Sequence, residues 1–203
     1  MRLFHSPASP FVRKVVVLLH ELDITDTVTL DLVQTTAFAS DTALVVSNPL
    51  AKIPALVRPD GTTLYDSRVI CQYLNDLHKG GLYPEGARKW ETLTLEATGD
   101  GIMESAVSMT YEVRLRPEAE QSPDWIEAQW AKVSRALGVL NARWMSHLHG
   151  PLDMGQISVA CALGYIDFRH GVRDWRKGND ALAAWYEAFD SRPSMQATVP
   201  PSA

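Results

Sequence analysis

The sequence is poor in cysteine, in net positive charge and in long apolar runs. Only Cys71 and Cys161 occur among 203 residues, too few for a disulfide framework, so both are expected to pack as small buried side chains. Nineteen Lys and Arg against 24 Asp and Glu give a formal charge of −5, which disfavours nucleic acid and anionic membranes as partners. Apolar runs are short, such as the five residues 15–19, whereas a membrane-spanning helix needs about 20.

The composition and the first residues are typical of a folded protein without an export signal. Hydrophobic residues make up 46% and charged residues 21%, unlike the polar, charge-biased composition of disordered chains. Residues 1–7 lack the basic segment and the long apolar stretch of a secretory signal, so a cytoplasmic location is expected. At roughly 100–200 residues per domain, the 203 residues allow one large domain or two small ones.

The hydrophobic pattern changes near residue 80. Before that point, short runs typical of strands alternate with runs of helical spacing, which predicts the order βαβαββα. Two of the runs flank Pro59-Asp60-Gly61, a strong turn signal, and are therefore expected to form a hairpin. Gly80-Gly81 supplies residues that readily adopt the left-handed conformation that ends a helix. The expected strands cover residues 2–5, 27–33, 55–58 and 63–65, and the expected helices cover residues 10–22, a short segment within 34–46, and residues 67–78.

From residue 88 onward almost all of the chain has helical periodicity. Ser122-Pro123-Asp124 is a favourable helix start, with an oxygen cap followed by proline at the first helical position. Asp153 and Gln156 have the spacing of a reciprocal capping box. Helix breaks are expected at residues 116–117, 150–151, 171 and 192–193, where proline or glycine occurs. The resulting hypothesis is a first domain over residues 1–79, a linker over 80–87 and an all-helical domain over 88–203.

Ser9 lies where the first strand turns into the first helix. With Pro10 at the first helical position, Ser9 is expected to cap the helix, so its hydroxyl lies beside unpaired backbone amides and the positive end of the helix dipole. Such a place favours a nearby anion. Capping alone is the competing interpretation, because serine is a preferred cap in any helix.

Two further segments carry candidate chemistry. Residues 48–56 read Asn-Pro-Leu-Ala-Lys-Ile-Pro-Ala-Leu, and Pro54 directly before an apolar strand suggests a strand start or a bulge, with a cis bond as one option. A cis bond there would turn the Ile53 backbone outward as a free donor and acceptor. Asp66-Ser67-Arg68 opens the helix after the hairpin, where a hydroxyl and an N-terminal amide can hold a carboxylate or simply cap the helix.

Taken together, these motifs resemble the glutathione transferase superfamily, and most closely its serine-type classes and small bacterial members. The resemblance extends from Met1 to Met195 and implies a thioredoxin-like N-terminal domain followed by an all-helical C-terminal domain. The motifs that carry it are Ser9-Pro10-Phe11-Val12-Arg13, the Asn48 to Leu56 segment, Asp66-Ser67, the Asp153-x-x-Gln156 box and Gly164-Tyr165-x-x-Phe168-Arg169. The box departs from the family's usual order of Ser or Thr first and Asp three residues later, and residues 34–47 show no family signal.

The resemblance implies a role for each matching residue. Ser9 would donate its hydroxyl hydrogen to the sulfur of glutathione, the co-substrate, and stabilise it as a thiolate. The Ile53 backbone, before a cis Pro54, would pair with the cysteinyl residue. Lys52 would face the glycyl carboxylate, and Asp66 with Ser67 would hold the γ-glutamyl ammonium and carboxylate. No metal is implied.

The second partner implied is a small electrophilic molecule, attacked by the thiolate in a partly apolar cleft between the domains. Met103, Val107 and Tyr111 share one helical face at i, i+4, i+8 spacing, and Phe11 joins them as a candidate wall of that pocket, although such a stripe is more often plain core. The family also implies a homodimer and a part in detoxification.

Several other functions compete with conjugation. A glutathione-dependent reductase on the same fold needs a cysteine at the helix start, where Ser9 stands, and peroxide reduction or isomerisation would need only the thiolate. A non-catalytic interaction protein could keep the fold without the activity. A metal enzyme is disfavoured, because His147 and His149 are two residues apart and point to different helix faces; both are expected to face solvent.

Overall fold

A computed structural model describes residues 1–201. The chain forms two compact units, one of Met1–Pro84 together with the C-terminal segment that begins at Pro193, and one of Glu85–Arg192. The predicted domain hypothesis placed that C-terminal segment with the helical domain. It lies instead with the first unit because the guanidinium of Arg13 donates to the carbonyl of Met195 (3.1 Å) and to the Thr198 hydroxyl (3.3 Å).

The first unit contains a four-stranded sheet with helices in the predicted order βαβαββα. Strand β1 pairs parallel with β2 and antiparallel with β3, which pairs antiparallel with β4, so the spatial order is β2-β1-β3-β4. The strands are β1 (Arg2–His5), β2 (Thr29–Leu32), β3 (Ala55–Val57) and β4 (Thr63–Leu64), and the helices are α1 (Pro10–Glu21), α2 (Thr42–Ser47) and α3 (Ser67–His78). This confirms the thioredoxin-like arrangement.

One buried hydrophobic cluster packs against the sheet. Phe4, Val33, Leu44 and Ala55 form a buried cluster. Ile53 and Tyr65 pack against it from the segments that flank β3 and β4. The edge strand β2 differs from the half-buried strand that its period-two pattern suggests, because Leu30 and Leu32 are exposed (43% and 65%).

Helix α3 ends at His78, as predicted, but the residue that takes the left-handed conformation directly after it is not a glycine. Lys79, not Gly80, takes the left-handed conformation, with φ of 53°. Gly80 is needed for another reason: a Cβ atom built there would lie 2.7 Å from a methyl group of Leu22 and 2.9 Å from the side-chain oxygen of Asn75. The glycine therefore permits a close approach of the chain to the ends of two helices.

The second unit is helical throughout, as predicted. Helix breaks occur at the expected places, since α4 ends before Arg116, α7 ends at His170 and α9 begins at Pro193 in the C-terminal segment. The elements are α4 (Ala87–Leu115), α5 (Pro123–Val139), a π-helical turn (Leu140–Trp144), α6 (Met145–Leu148), α7 (Met154–His170) and α8 (Asp180–Asp190), with α9 (Pro193–Gln196) following.

Helices α4 and α7 pack along most of their length and form the centre of this unit. Ser158 donates to the Glu96 carbonyl (3.1 Å), and Gly99 permits this approach because a Cβ there would lie 2.7 Å from the Ser158 backbone. The capping box is present in both directions: the Asp153 carboxylate accepts from the Gln156 amide (3.2 Å), and the Gln156 side chain accepts from the Asp153 amide (3.4 Å). Its order of residues is reversed relative to the family, yet the reciprocal caps form.

Candidate functional site

Three segments of the first unit meet at one end of the sheet. Phe4 of β1 pairs with Ala55 of β3, so the C-terminal end of β1 lies beside the N-terminal end of β3. Leu56 pairs with Leu64 of β4, which brings the C-terminal end of β4 to the same place. The turn that contains Ser9, the Lys52-Ile53-Pro54 segment and the Asp66-Ser67 pair follow or precede these strand ends. The sheet thus brings the residues predicted to bind glutathione to the same end.

Ser9 caps α1 as predicted. Its backbone is extended (φ −86°, ψ 122°), its hydroxyl oxygen accepts from the Val12 amide at 3.3 Å, and Pro10 takes the first helical position. Within residues 1–201 the hydroxyl hydrogen is donated to no protein group. The half-buried hydroxyl therefore keeps a hydrogen to donate, at a helix end that favours an anion.

The loop before β3 is held by Asn48, which is 1% exposed. Its side-chain amide donates to the Lys52 carbonyl (2.8 Å), and its side-chain oxygen accepts from the Leu50 amide (3.0 Å). Ala51, between them, has φ of 53°, and its carbonyl accepts from Thr35 at 3.3 Å. Asn48 was part of the motif, but sequence analysis gave it no role; an asparagine before proline at the start of a loop is the signal that could have suggested one.

The Ile53-Pro54 bond is cis. Pro54 is buried, Ile53 is half-buried against the core cluster, and the Lys52 side chain is exposed. Within the described chain, the Ile53 amide and carbonyl have no hydrogen-bond partner. A free donor and acceptor on one residue can pair with a peptide laid beside it as a short strand would.

Asp66 and Ser67 open α3. The Asp66 carboxylate accepts from the Arg68 amide (3.0 Å) and from the Arg68 guanidinium (2.9 Å). Burial would raise the pKa of Asp66, but these hydrogen bonds, together with the charges of Arg68 and Lys14, outweigh it and hold that pKa below its usual value. Ser67 is 3% exposed, and its hydroxyl has no partner within residues 1–201. A carboxylate acceptor and a free hydroxyl donor therefore stand side by side.

The four candidates for the second-substrate pocket lie on two helices. Phe11 is half-buried on α1 of the first unit. Met103, Val107 and Tyr111 follow one another along one face of α4 in the second unit; Met103 is fully buried, Val107 half-buried and Tyr111 43% exposed. The inner part of this stripe is core, and its outer part presents an aromatic ring to solvent.

The expectation of two solvent-facing histidines was wrong for His147. Its side chain is only 7% exposed, because Nε2 lies 2.7 Å from the Asp153 carboxylate and Nδ1 lies 3.2 Å from Glu91. His149 is exposed as expected. Among residues 1–201, no group of three or more His, Cys, Asp or Glu side chains is arranged to hold a metal ion.

The matches to known proteins cover both units. The family model of the glutathione S-transferase N-terminal domain matches residues 3–81, and that of the C-terminal domain matches residues 123–188. The chain belongs to the glutathione S-transferase family. It is 31% identical to the Escherichia coli K12 protein described as an uncharacterized GST-like protein, YibF. The alignment has 207 positions and covers 100% of each chain.

Solved structures of other family members resemble this transferase-family chain closely. One from Pseudomonas fluorescens Pf-5, with bound glutathione, is 48% identical, superimposes with a TM-score of 0.96 and shares 98% coverage of each chain. Another from the same organism, with bound S-(propanoic acid)-glutathione, is 46% identical with a TM-score of 0.91, covering 99% of this chain and 100% of the other. A third, from Methylobacillus flagellatus KT with glutathione bound, is 34% identical with a TM-score of 0.81 and coverage of 98% and 99%.

Across residues 1–201, every helix of this family member is too short or too polar to cross a lipid bilayer. Both cysteines are fully buried, as the sequence suggests: Cys71 lies within α3 and Cys161 within α7. Neither stands at the start of α1, where a reductase of this fold would carry its reactive thiol.

Proposed function

We propose that this family member is an enzyme, a glutathione transferase in which Ser9 activates the thiol of glutathione. The observation that carries the proposal is the Ser9 hydroxyl, which accepts a hydrogen bond from the Val12 amide and keeps its own hydrogen free. That hydrogen, at the positive end of α1, is suited to donate to a sulfur anion.

The free energy needed to ionise the thiol of glutathione is about that of one hydrogen bond to the thiolate. A thiol of pKa near 8.5 is only a few per cent ionised at pH 7, and lowering its pKa by about two units needs roughly 2.7 kcal/mol of preferential thiolate stabilisation. A hydrogen bond to a charged group contributes about 1.5–3 kcal/mol, and a helix N-terminus adds to it. One hydroxyl at a helix end is therefore sufficient.

The rest of the tripeptide is matched by groups at the same end of the sheet. The unpaired amide and carbonyl of Ile53, next to cis Pro54, would pair with the cysteinyl residue. The exposed ammonium of Lys52 would face the glycyl carboxylate. Asp66 and Ser67 would bind the γ-glutamyl ammonium and carboxylate. A zwitterionic peptide with two carboxylates fits this set of charges.

The thiolate sulfur would then attack a small electrophile. Phe11, Met103, Val107 and Tyr111 are the proposed apolar contacts of that second substrate. The Pseudomonas fluorescens relative with bound S-(propanoic acid)-glutathione supports conjugation, since that ligand is a thioether of glutathione. The two buried cysteines argue against thiol–disulfide reduction by the protein itself.

The decisive experiment compares two matched capping serines. Ser9→Ala and Ser122→Ala each remove a hydroxyl that caps a helix, the latter accepting from the Trp125 amide at 3.2 Å, so each should cost about 1 kcal/mol of stability. Ultraviolet titration of the bound glutathione thiol should show a pKa well below that of free glutathione in wild type and Ser122→Ala, and a raised pKa in Ser9→Ala. Equal pKa values in all three proteins would refute the role of Ser9, and no binding of glutathione would refute the function.

We also infer a cytoplasmic homodimer. Leu32, Phe38 and Val46 are large apolar side chains left 65%, 77% and 88% exposed on the first unit, and burying them in a dimer would be favourable. Sedimentation should give about twice the chain mass of 22.5 kDa. A single-chain mass at micromolar concentration would contradict the dimer.

A further inference from the structure

Two arginines stand at the same end of the central helix pair of the second unit. Helices α4 and α7 run parallel and in register: Thr92 bonds to Asp153 near their starts (2.9 Å), and Tyr165 bonds to Thr110 near their ends (3.1 Å). Arg114 lies one turn beyond Thr110 on α4, and Arg169 lies one turn beyond Tyr165 on α7. Because residues four apart share a helix face, the side chains of Arg114 and Arg169 start from neighbouring positions on the two helices.

The charges of this pair are not neutralised within the described chain. No carboxylate of residues 1–201 forms an ion pair with Arg114 or Arg169, although several acidic side chains are close to them in the sequence. The acidic residues two positions before each arginine are bound to other arginines: Glu112 to Arg116 (3.6 Å) and Asp167 to Arg176 (2.6 Å). Two like charges are thus held together without a counterion, in a protein whose formal charge is −5.

The surroundings of Arg169 make this arrangement costly. Its guanidinium carbon lies 3.7 Å from the centre of the Phe168 ring, a favourable contact that keeps the charge beside an aromatic face. Burial lowers the pKa of Arg169, the charge of Arg114 lowers it further, and the hydrogen bond with Tyr165 opposes this only in part. A bound anion would remove the repulsion and use the planar donors of the guanidinium.

Aromatic surface adjoins the two charges. Tyr111 lies one turn before Arg114 on α4 and is the exposed end of the Met103, Val107, Tyr111 stripe. Phe168 packs edge-on against Tyr165, with ring centres 6.3 Å apart. A ligand with a flat apolar body and a carboxylate would match both parts.

We propose that Arg114 and Arg169 bind the carboxylate of the second substrate, so that the electrophiles conjugated by this enzyme are apolar or aromatic acids. The inference rests on the proposed function, because it names the class of electrophile that the activated thiol attacks. The competing interpretation is that both arginines only complement the negative ends of α4 and α7, as cations in a last helical turn commonly do.

A pair of probes separates charge from reactivity. In 4-chloro-3-nitrobenzoate the thiolate sulfur forms a bond to the ring carbon that carries chlorine, the carbon–chlorine bond breaks, and chloride leaves with the bonding electrons; nothing is oxidised or reduced. The amide 4-chloro-3-nitrobenzamide reacts by the same steps and has nearly the same shape but no negative charge. Only the first probe can use the arginine pair.

The variants are Arg114→Gln, Arg169→Gln and the double variant, with Arg135→Gln, an exposed arginine of α5, as the control for loss of one positive charge. Losing a hydrogen bond to a charged group should lower kcat/KM for the benzoate roughly tenfold to hundredfold in Arg169→Gln and Arg114→Gln. The KM for glutathione, the kcat/KM for the amide and the activity of Arg135→Gln should stay within about twofold of wild type. Equal losses with both probes, or no loss with the benzoate, would overturn the proposal.

Binding of a non-reactive acid tests the site without turnover. Calorimetry should detect 3-nitrobenzoate bound to the wild-type protein, at least tenfold weaker binding to the double variant, and no comparable binding of 3-nitrobenzamide. If neither chlorinated probe is conjugated, the proposed function fails, and calorimetry alone decides the anion site. If conjugation proceeds but wild type and double variant bind 3-nitrobenzoate equally, the anion site fails and the transferase function stands.

Discussion

The two units hold their polar side chains in different ways. In the first unit the site residues bond to neighbours in the sequence: Ser9 to the Val12 amide, Asn48 to the Lys52 carbonyl, and Asp66 to Arg68. In the second unit the buried polar bonds join distant parts of the chain, such as Thr92 to Asp153 and Tyr165 to Thr110. Local bonds orient the segments that carry the candidate binding groups, whereas the distant ones tie helices together.

The polar groups of the first unit are therefore available to bind a ligand, whereas those of the second unit stabilise the fold. The Ser9 and Ser67 hydroxyls and the Ile53 backbone keep hydrogen-bonding capacity that no group within residues 1–201 uses. The Asp153 carboxylate, in contrast, is 1% exposed and surrounded by donors. We therefore expect substitutions in the first unit to change glutathione binding more than stability, and substitutions in the buried network of the second unit to do the reverse.

The largest effect is expected at Asp153. Asp153→Ala removes the acceptor of the Gln156 amide, the Thr92 hydroxyl, His147 (2.7 Å) and Arg88 (3.2 Å), and leaves buried donors unpaired. The free energy of unfolding should fall by about 3–5 kcal/mol, as measured by urea denaturation.

Asp124→Ala, at an exposed site in the first turn of α5, is the matched control and should change stability by less than about 0.5 kcal/mol. Below its unfolding temperature, Asp153→Ala should keep the wild-type KM for glutathione. A large rise in that KM without loss of stability would break the separation of the two units.

The second prediction concerns the C-terminal segment. Arg13→Met keeps the apolar stem of the side chain but removes the bonds to the Met195 carbonyl and the Thr198 hydroxyl. Because these bonds involve a charged donor, the free energy of unfolding should fall by about 1.5–3 kcal/mol. Limited proteolysis should cut between Arg192 and Thr198 faster than in wild type. Unchanged stability and cleavage would show that the segment is held by other contacts.

The bonds that sequence analysis anticipated are those between near neighbours. Ser9, Ser122 and the Asp153–Gln156 box were predicted as caps because a cap needs only a side-chain oxygen and an amide two or three residues later. The order of strands and helices in the first unit followed for the same reason, since periodicity and turn residues are local signals.

What escaped prediction depends on contacts across the fold. His147 was expected in solvent because nothing nearby in sequence shows that Asp153 and Glu91 would approach it. Gly80 was expected to end the helix through its backbone conformation. Glycine is required there because a Cβ atom would collide with Leu22, which lies far away in the chain. The clustering of Arg114 and Arg169 likewise requires the parallel register of α4 and α7, which no single segment encodes.

Asn48→Ala is expected to destabilise the protein less than Asp153→Ala or Arg13→Met, and to weaken glutathione binding more than either. Asn48→Ala removes one donor to the Lys52 carbonyl and one acceptor for the Leu50 amide, so the unfolding free energy should fall by about 1–1.5 kcal/mol. The loop that presents Ile53 would lose its anchor, and the KM for glutathione should rise several-fold while kcat changes little.

Asn179→Ala is the control for this substitution. It also removes an amide-to-carbonyl bond, from Asn179 to Trp175 at 2.7 Å, but in the second unit. It should cost similar stability and leave the KM for glutathione unchanged. The same rise in KM in both variants would mean that the loop before β3 has no special part in binding.

The smallest effect is a pH dependence to which each unit contributes one histidine. Burial lowers the pKa of His5 in the first unit, and the charge of Asp31 opposes this only in part. Burial also lowers the pKa of His170 in the second unit; its hydrogen bond to the Ala106 carbonyl opposes the shift, whereas the charges of Arg173 and Arg169 add to it. Both groups bind a proton less readily in the folded protein than in the unfolded chain.

The sign of the effect follows from proton linkage. In the unfolded chain each histidine titrates near about pH 6.5, so as the pH falls below that value the unfolded state binds protons that the folded state still excludes. The free energy of unfolding should therefore be constant above that region and decrease as the pH falls through it, with a slope of at most one proton per histidine. His5→Gln and His170→Gln should each flatten part of the slope, and the double variant should remove most of it. A double variant with the wild-type slope would assign the pH dependence to other groups, and a flattening by only one of the two would place it in a single unit.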